Sequence, residues 1–260
     1  MTTFAYGLTQ LESLGNITLV DDYLDLPARR GNNKTIPYRH GTVFNQKFYD
    51  QRTIPVGIAI LGTSLSDLET KLNTIRGLFS EQTPQTLTIV FEDSSTKTAL
   101  VTVDRPLQIR RTQSLARIVV EFTLCDPFFR SSTLYEVTSD AIDGTPTPQT
   151  LTVVNSGTVE ERNPTMLLSG PLKNPVITNT DNAVSVTYTG TIAGGTSVTI
   201  GELNGEKYAT HSGTGSVIGN VTHSGSAAFM TLDVGNNAIT ITDADYAGGT
   251  VKFSYYPPFL

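Results

Sequence analysis

Tryptophan is absent from the 260 residues, cysteine occurs once and histidine three times. The lone Cys125 excludes an intrachain disulfide, so the fold owes nothing to an oxidising compartment. Of His40, His211 and His223, the last two bracket the segment SGTGSVIGNVT, which offers no carboxylate or thiol as a further zinc ligand. No apolar run approaches the roughly 18 residues of a membrane helix. The N-terminus, MTTFAYGLTQLESLGN, lacks the basic and apolar regions of a signal peptide. The sequence predicts no membrane insertion and synthesis in a cytoplasm.

Signatures of catalysis are missing as well. There is no G-x-S-x-G elbow and no P-loop. Gly213-Thr-Gly-Ser-Val-Ile-Gly219 is one residue too long for a dinucleotide loop, and no helical pattern follows it. Cys125, at a strand end before Asp126-Pro127, reads as a small core residue rather than a thiolate nucleophile. Asp233, Asp243 and Asp245 are the candidates for a glycan-hydrolase acid pair, with nothing to set them apart from turn residues. No catalytic residue, metal or cofactor is expected.

Basic charge is scarce in one half only. Residues 1–130 carry 14 Lys and Arg against 13 Asp and Glu, whereas residues 131–260 carry 4 against 11, the two net charges of +1 and −7 making up the total of −6. Glycine splits the other way, 7 against 15. Such a shift marks a domain boundary, and the Ser/Thr/Pro/Asp-rich stretch 131–150 is read as the linker between domains 1–130 and 151–260. Neither half has the excess of Lys and Arg that sequence-specific nucleic-acid binding needs.

One stretch, Gly62 to Pro84, is a convincing helix. Leu65, Leu68, Leu72, Ile75 and Phe79 recur at spacings of three and four, giving one apolar stripe. Ser66 with Glu69 and Ser64 with Asp67 both suit a capping box, and Pro84 stops the helix. Before it lies the strand pattern 53–61; after it come 86–92, 97–104 and 115–124, with the Arg-flanked 107–112 as an exposed edge. A one-helix, one-sheet α+β domain follows. Earlier still, 17–20 and 23–26 are short strand candidates, followed by a basic and aromatic arm, Pro27–Asp50, with Gly31-Asn32-Asn33 suited to a tight reversal. An arm of that length is unusual unless it contacts something. Arg29, Arg30, Tyr38 and Arg39 are its candidate contact residues, because Arg and Tyr combine large contact area with directional hydrogen bonds.

The second half alternates Val, Ile, Thr and Tyr runs with Gly, Asn and Asp: 150–154, 165–169, 175–178, 184–189, 197–200, 228–232, 237–242 and 251–256. Eight such runs predict a β-sandwich of jelly-roll type, so the chain is mainly β. Thr210-His-Ser-Gly213 and Thr222-His-Ser-Gly225 echo each other and are read as two arms of one hairpin. Tyr188, Tyr208 and Tyr246, with Tyr255 and Tyr256, are candidates to stack on a sugar or partner surface, against the plainer reading of core or interface tyrosines.

The order of these parts resembles the distal tail protein of long-tailed siphophages. The resemblance rests on the arm with Arg39-His-Gly41, on Arg52-Thr-Ile-Pro-Val-Gly-Ile-Ala-Ile-Leu-Gly62 running into the helix, and on Glu121-Phe-Thr-Leu-Cys-Asp-Pro-Phe-Phe129. It extends through Val154-Asn-Ser-Gly157, Asn163-Pro164 and Asn174-Pro-Val-Ile177 to Val234-Gly-Asn-Asn-Ala-Ile-Thr-Ile241 and Val251-Lys-Phe-Ser-Tyr-Tyr-Pro257. It implies a barrel-like, ring-forming first domain and a galectin-like second domain. The implied protein is a structural virion component, a homo-hexameric hub at the tail tip between the tail tube protein and a tail-tip or lysin protein. Genomic DNA passes through the hub, and the second domain serves as a platform for receptor-binding proteins or touches host glycan. The competing readings are a carbohydrate-binding adhesin and a glycan hydrolase.

Overall fold

The computed structural model describes residues 2–19, 25–31, 33–35, 40, 42–43, 47–104, 107–142, 148–162, 164–203, 205–225, 228–243 and 248–260. The chain divides into two units, Met1–Ser132 with Leu260, and Thr133–Phe259. The strand candidate 23–26 lies mostly outside the described residues.

The first unit is one antiparallel sheet that curls into a half-barrel around one helix. Its main strands are β1 (Thr3–Tyr6), β2 (Asn16–Leu19), β3 (Arg52–Leu61), β4 (Gln85–Val90), β5 (Thr96–Thr102), β6 (Gln108–Thr112) and β7 (Leu115–Leu124). They lie in the order β1-β4-β5-β7-β3-β2, with β6 pairing only β7 among the described residues, as an edge. The backbone of this sheet is the β3–β7 ladder, ten unbroken pairs from Arg52↔Leu124 to Leu61↔Leu115. Alternate side chains of a strand point to opposite faces. Ile54, Val56, Ile58 and Ile60 with Ala116, Ile118, Val120 and Phe122 therefore share the inner face and are buried.

Helix α1 (Leu65–Leu78) covers that face with Leu68, Leu72 and Ile75, and the following Phe79 is buried too. Phe79, Tyr6 and Phe122 meet as an aromatic trio with centroid separations of 5.2–5.9 Å. Ser64 caps the helix by accepting the Asp67 N–H at 3.1 Å, so of the two capping registers the earlier one is used. The start is tight because Gly62 runs against the helix: a Cβ there would stand 2.7 Å from the Cβ of Leu68. Leu65 departs from the expected stripe and is 60% exposed. As the first helical residue it lies a turn short of the sheet-facing row. Cys125, expected in the core, is instead exposed where the β7 ladder ends.

The second unit is a sandwich of two antiparallel sheets. One contains β8 (Tyr135–Thr138), β10 (Thr165–Ser169), β13 (Ser197–Leu203), β14 (Glu206–His211) and β17 (Thr250–Tyr255), in the order β8-β17-β10-β13-β14. The other contains β9 (Gln149–Asn155), β11 (Val176–Asn179), β12 (Val184–Tyr188), β15 (Val221–His223) and β16 (Gly235–Thr242), in the order β9-β16-β11-β12-β15. Their inner faces share one core, with Met166, Ile200 and Phe253 from the first sheet against Ile177, Val186 and Ile239 from the second.

Three readings change here. Residues 135–138 are sheet rather than linker, because Tyr135 and Val137 pack on the core while Glu136 and Thr138 alternate outward. Only Thr231–Leu232 of the run 228–232 is strand. The echoed His-Ser-Gly segments are not two arms of one hairpin, since His211 ends β14 and His223 ends β15 in opposite sheets. What repeats is a strand-end cap. Ser212 exchanges bonds with Ser197, and Ser224 with Ser185: in each, the serine N–H donates to the partner carbonyl and the serine hydroxyl accepts the partner N–H at 2.8–3.0 Å.

Replacing Leu72 by Ala should cost about 2–5 kcal/mol of first-unit stability, and Leu72→Asp should leave that unit unfolded; an unchanged melting temperature would show that the stripe faces water. The helix start should also respond to acid. Backbone hydrogen bonding from Thr63, aided by Lys71, holds the Asp67 carboxyl below its ordinary value. Its contribution is complete above that ordinary value and is lost as pH falls through the lowered one. Asp67→Asn should remove this acid-dependent component from far-UV circular dichroism titrations of the folded protein.

Candidate assembly surface

The arm is a β-ribbon with two described rungs. Arg29–Arg30 pairs Phe48–Tyr49 in the register Arg29↔Tyr49 and Arg30↔Phe48. Lys34–Thr35 pairs Thr42–Val43 in the register Lys34↔Val43 and Thr35↔Thr42. The reversal therefore falls between Thr35 and Thr42, not at Gly31-Asn32-Asn33 as expected. Three residues separate the rungs on the outgoing side and four on the returning side. Gly31 takes up φ 122° there, a conformation that favours glycine.

The root of the ribbon is well anchored. Arg29 donates from Nη2 to the Tyr49 hydroxyl at 3.1 Å and lies 5.1 Å from the centre of its ring. Tyr49 in turn meets the edge of Phe128 at 5.6 Å. Three residues on, at the first position of β3, Arg52 is buried with its guanidinium 4.9 Å over Phe129. Burial lowers its pKa, and the charge of Asp25 acts the other way. The sequence pattern starts the strand at residue 53 and gives Arg52 no anchoring role; an Arg directly before an apolar strand is the available signal. Arg30 and Phe48 remain exposed on the ribbon. Tyr38 and Arg39, the other two candidates, lie outside the described residues.

The tyrosines and acids of the second unit have other employment. Tyr188 is 3% exposed and belongs to the core, so it cannot stack on a sugar. Tyr208 lies over its cross-strand partner Gly201, where a Cβ would come within 2.9 Å of its hydroxyl. Tyr246 and Asp245 lie outside the described residues. Tyr135 and Tyr255 stitch the two sheets together: the Val154 N–H donates to the Tyr135 hydroxyl at 3.1 Å, and the Tyr255 hydroxyl donates to the Val154 carbonyl at 2.7 Å. Burial, with the neighbouring charges of Tyr135 and Glu161, raises the Tyr255 pKa. Asp243 is buried and accepts the Lys173 N–H at 2.5 Å, whereas Asp233 is exposed.

Sequence reading passed over a buried amide network. Asn179 Nδ2 donates to the Thr231 carbonyl and to Asn237 Oδ1 at 2.8 and 3.0 Å, and Asn237 Oδ1 also accepts the Asp233 N–H at 2.8 Å. Asn155 Nδ2 donates to the Val159 and Leu232 carbonyls at 2.9 and 3.1 Å. These amides hold the irregular chain around 231–237 in place of a β ladder. Among the described residues, no group of three His, Cys, Asp or Glu could hold a metal ion.

Comparison with known protein families finds a likeness within the first unit. The family model for the phage tail protein RIFT-related domain matches residues 8–124. Over those residues the chain is similar to that family. No curated protein matches the sequence. Among solved structures, the chain is similar to SPP1 Dit, presented as a paradigm of the hub adsorption apparatus in phages that infect Gram-positive bacteria, with a TM-score of 0.72 over 100% of both chains at 16% identity. The fold is thus shared along the whole length. The phage P2 baseplate in its activated conformation overlays with a TM-score of 0.47 at 8% identity over 98% of each chain, too loosely to carry an argument.

The matched stretch contains the arm, Arg52, the helix and the whole β3–β7 ladder, so every described contact candidate of the first unit sits on this one scaffold. Removing the guanidinium with Arg52→Ala should cost about 1–3 kcal/mol and accelerate hydrogen exchange of the amides at 47–52. Exchange at the wild-type rate would show that the arm root does not depend on Arg52.

Proposed function

We propose that this protein is the structural hub at the distal end of a siphophage tail. It assembles through the first unit as a hexameric ring that joins the tail tube to the tail-tip or lysin protein and lets DNA pass. The observation that carries the reading is the fold shared over the full chain with SPP1 Dit, together with the likeness to the RIFT-related domain over 8–124. Physical features agree with it. A closed ring repeats one heterologous contact, which needs two unlike patches on each subunit. The first unit offers a ribbon arm on one strand and an edge at β6 on another. Arg29, Arg30, Tyr38 and Arg39 are the arm's contacts with the neighbouring subunit or the tube.

The second unit is the outward module, a platform for receptor-binding proteins. Residues 151–260 carry 8 acidic and 4 basic side chains, a net −4 that favours solubility over self-association. A glycan-binding role has lost Tyr188 and Tyr255 to the core.

The test is negative-stain microscopy of the purified chain beside its Arg29, Arg30, Tyr38, Arg39→Ala variant. Wild-type rings that disappear in a variant that keeps its fold are expected. Rings that persist would make the arm a passive ribbon, and dispersed wild-type monomers would remove the hub reading.

A further inference from the structure

The β6–β7 ladder sets two like charges directly across from each other. Arg110 pairs with Arg117, so both side chains project from the outer face of the sheet, away from the helix. Like charges directly opposite are destabilising. Both are exposed, and neither has a hydrogen-bond or ion-pair partner among the described residues. Their neighbours are treated differently: Arg111, on the inner face, pairs with Glu69 of the helix, and Arg130 pairs with Asp126 at 3.1 Å. Beside the arginines on the same outer face lie Leu115 and its partner Leu61, which is 68% exposed, with Val119 and Ala59 adjoining. An unrelieved cationic pair next to an exposed apolar pair is the composition of a contact patch.

The complementary feature is at the far end of the same sheet. Glu92 and Asp93 form an exposed acidic tip on the turn joining β4 to β5. It is the one adjacent acidic pair among the described residues of the first unit. The turn is well formed: Phe91 N–H donates to the Ser95 carbonyl at 2.9 Å, Ser94 N–H to the Phe91 carbonyl at 3.0 Å, and Ser95 N–H to Asp93 Oδ1 at 2.9 Å. Lys97 supports it with its ammonium 5.0 Å over the Phe91 ring. Hydrogen bonds from Ser95 hold the Asp93 carboxyl below its ordinary value, so the tip is anionic at neutral pH.

Within one copy the two features lie at opposite ends of the strands that carry them. Among the described residues β5 joins β7 at Val101↔Leu124 and Thr102↔Thr123, so the tip runs off beyond Leu124 while Arg117 lies back along β7 in the opposite direction. At roughly 3.3 Å per residue the separation along the strands is on the order of 50 Å. A pair of cations at one end and a pair of anions at the other suit a head-to-tail contact between copies, the heterologous kind that closes into rings.

We propose that Arg110 and Arg117, with the adjoining Leu61 and Leu115, are the docking site for the Glu92–Asp93 tip of a second copy of this chain. The proposal rests on the ring reading above and names one of its contacts. It also accounts for the unrelieved arginine pair, because the tip carboxylates of the neighbouring copy neutralise it.

The experiment uses the full chain and two double variants, Arg110→Glu with Arg117→Glu and Glu92→Lys with Asp93→Lys. All four positions are exposed and outside the core, so each variant should keep its fold, the tip variant giving up the Ser95–Asp93 turn bond. Sedimentation velocity over a concentration series should show the wild type assembling and each double variant dissociating at concentrations at least tenfold higher than the wild type does. An equimolar mixture of the two variants should restore assembly, because the acidic patch of one then receives the basic tip of the other; an even-membered ring accommodates that alternation. Double variants that assemble like the wild type would overturn this contact and leave the ring reading standing. Variants that dissociate yet are not rescued by mixing would also overturn it, since the charges would then matter through another partner. A wild type that stays monomeric throughout would remove both.

Discussion

Ten consecutive residue pairs between β3 and β7 fix nearly everything else in the first unit. A strand repeats its facing every second residue, so slipping this ladder by one position would turn Ile54, Val56, Ile58 and Ile60 outward and bring Pro55, Ala59 and Leu61 into the core. With the register held, α1 has a surface of β-branched and aromatic side chains to cover, and the Tyr6, Phe79 and Phe122 rings close its far end. The two ends of β3 then have defined tasks. Arg52 roots the arm at one end over Phe129, and Gly62 lets the chain turn into the helix at the other. The outer face, including the opposed Arg110 and Arg117, is set by the same register.

The second unit meets a different constraint. Its sheets are short and interrupted, and buried backbone groups outside ladders must find side-chain partners. Tyr135 and Tyr255 supply both partners of Val154, and Asn155, Asn179 and Asn237 supply those of the segment around 231–237. Polar residues that look like surface in the sequence are therefore internal fasteners. The carboxylates that remain exposed lie on separate elements, Glu136 on β8, Glu206 at the start of β14 and Asp233 between strands.

What was legible in the sequence was local. Helix α1 and strands β3, β7, β10 and β16 announce themselves by period alone, and the arm by its composition. What was hidden depends on partners distant in the chain. Nothing in 131–150 shows that Tyr135 will reach Val154, and the opposition of Arg110 and Arg117 exists only once the β6–β7 register is known. Leu65 and Cys125 fit an apolar pattern but sit at element ends, where the pattern no longer implies a neighbour. The paired serines 212 and 224 read as a hairpin because the eye joins what is near in sequence; each caps a different sheet.

In the proposed hub, the first unit carries the assembly contacts and the sandwich is a separate module. Native mass spectrometry on residues 1–132 and 133–260, expressed apart, tests that division most directly. A hexameric first piece beside a monomeric second piece is the predicted result; a monomeric first piece beside an oligomeric second would contradict it.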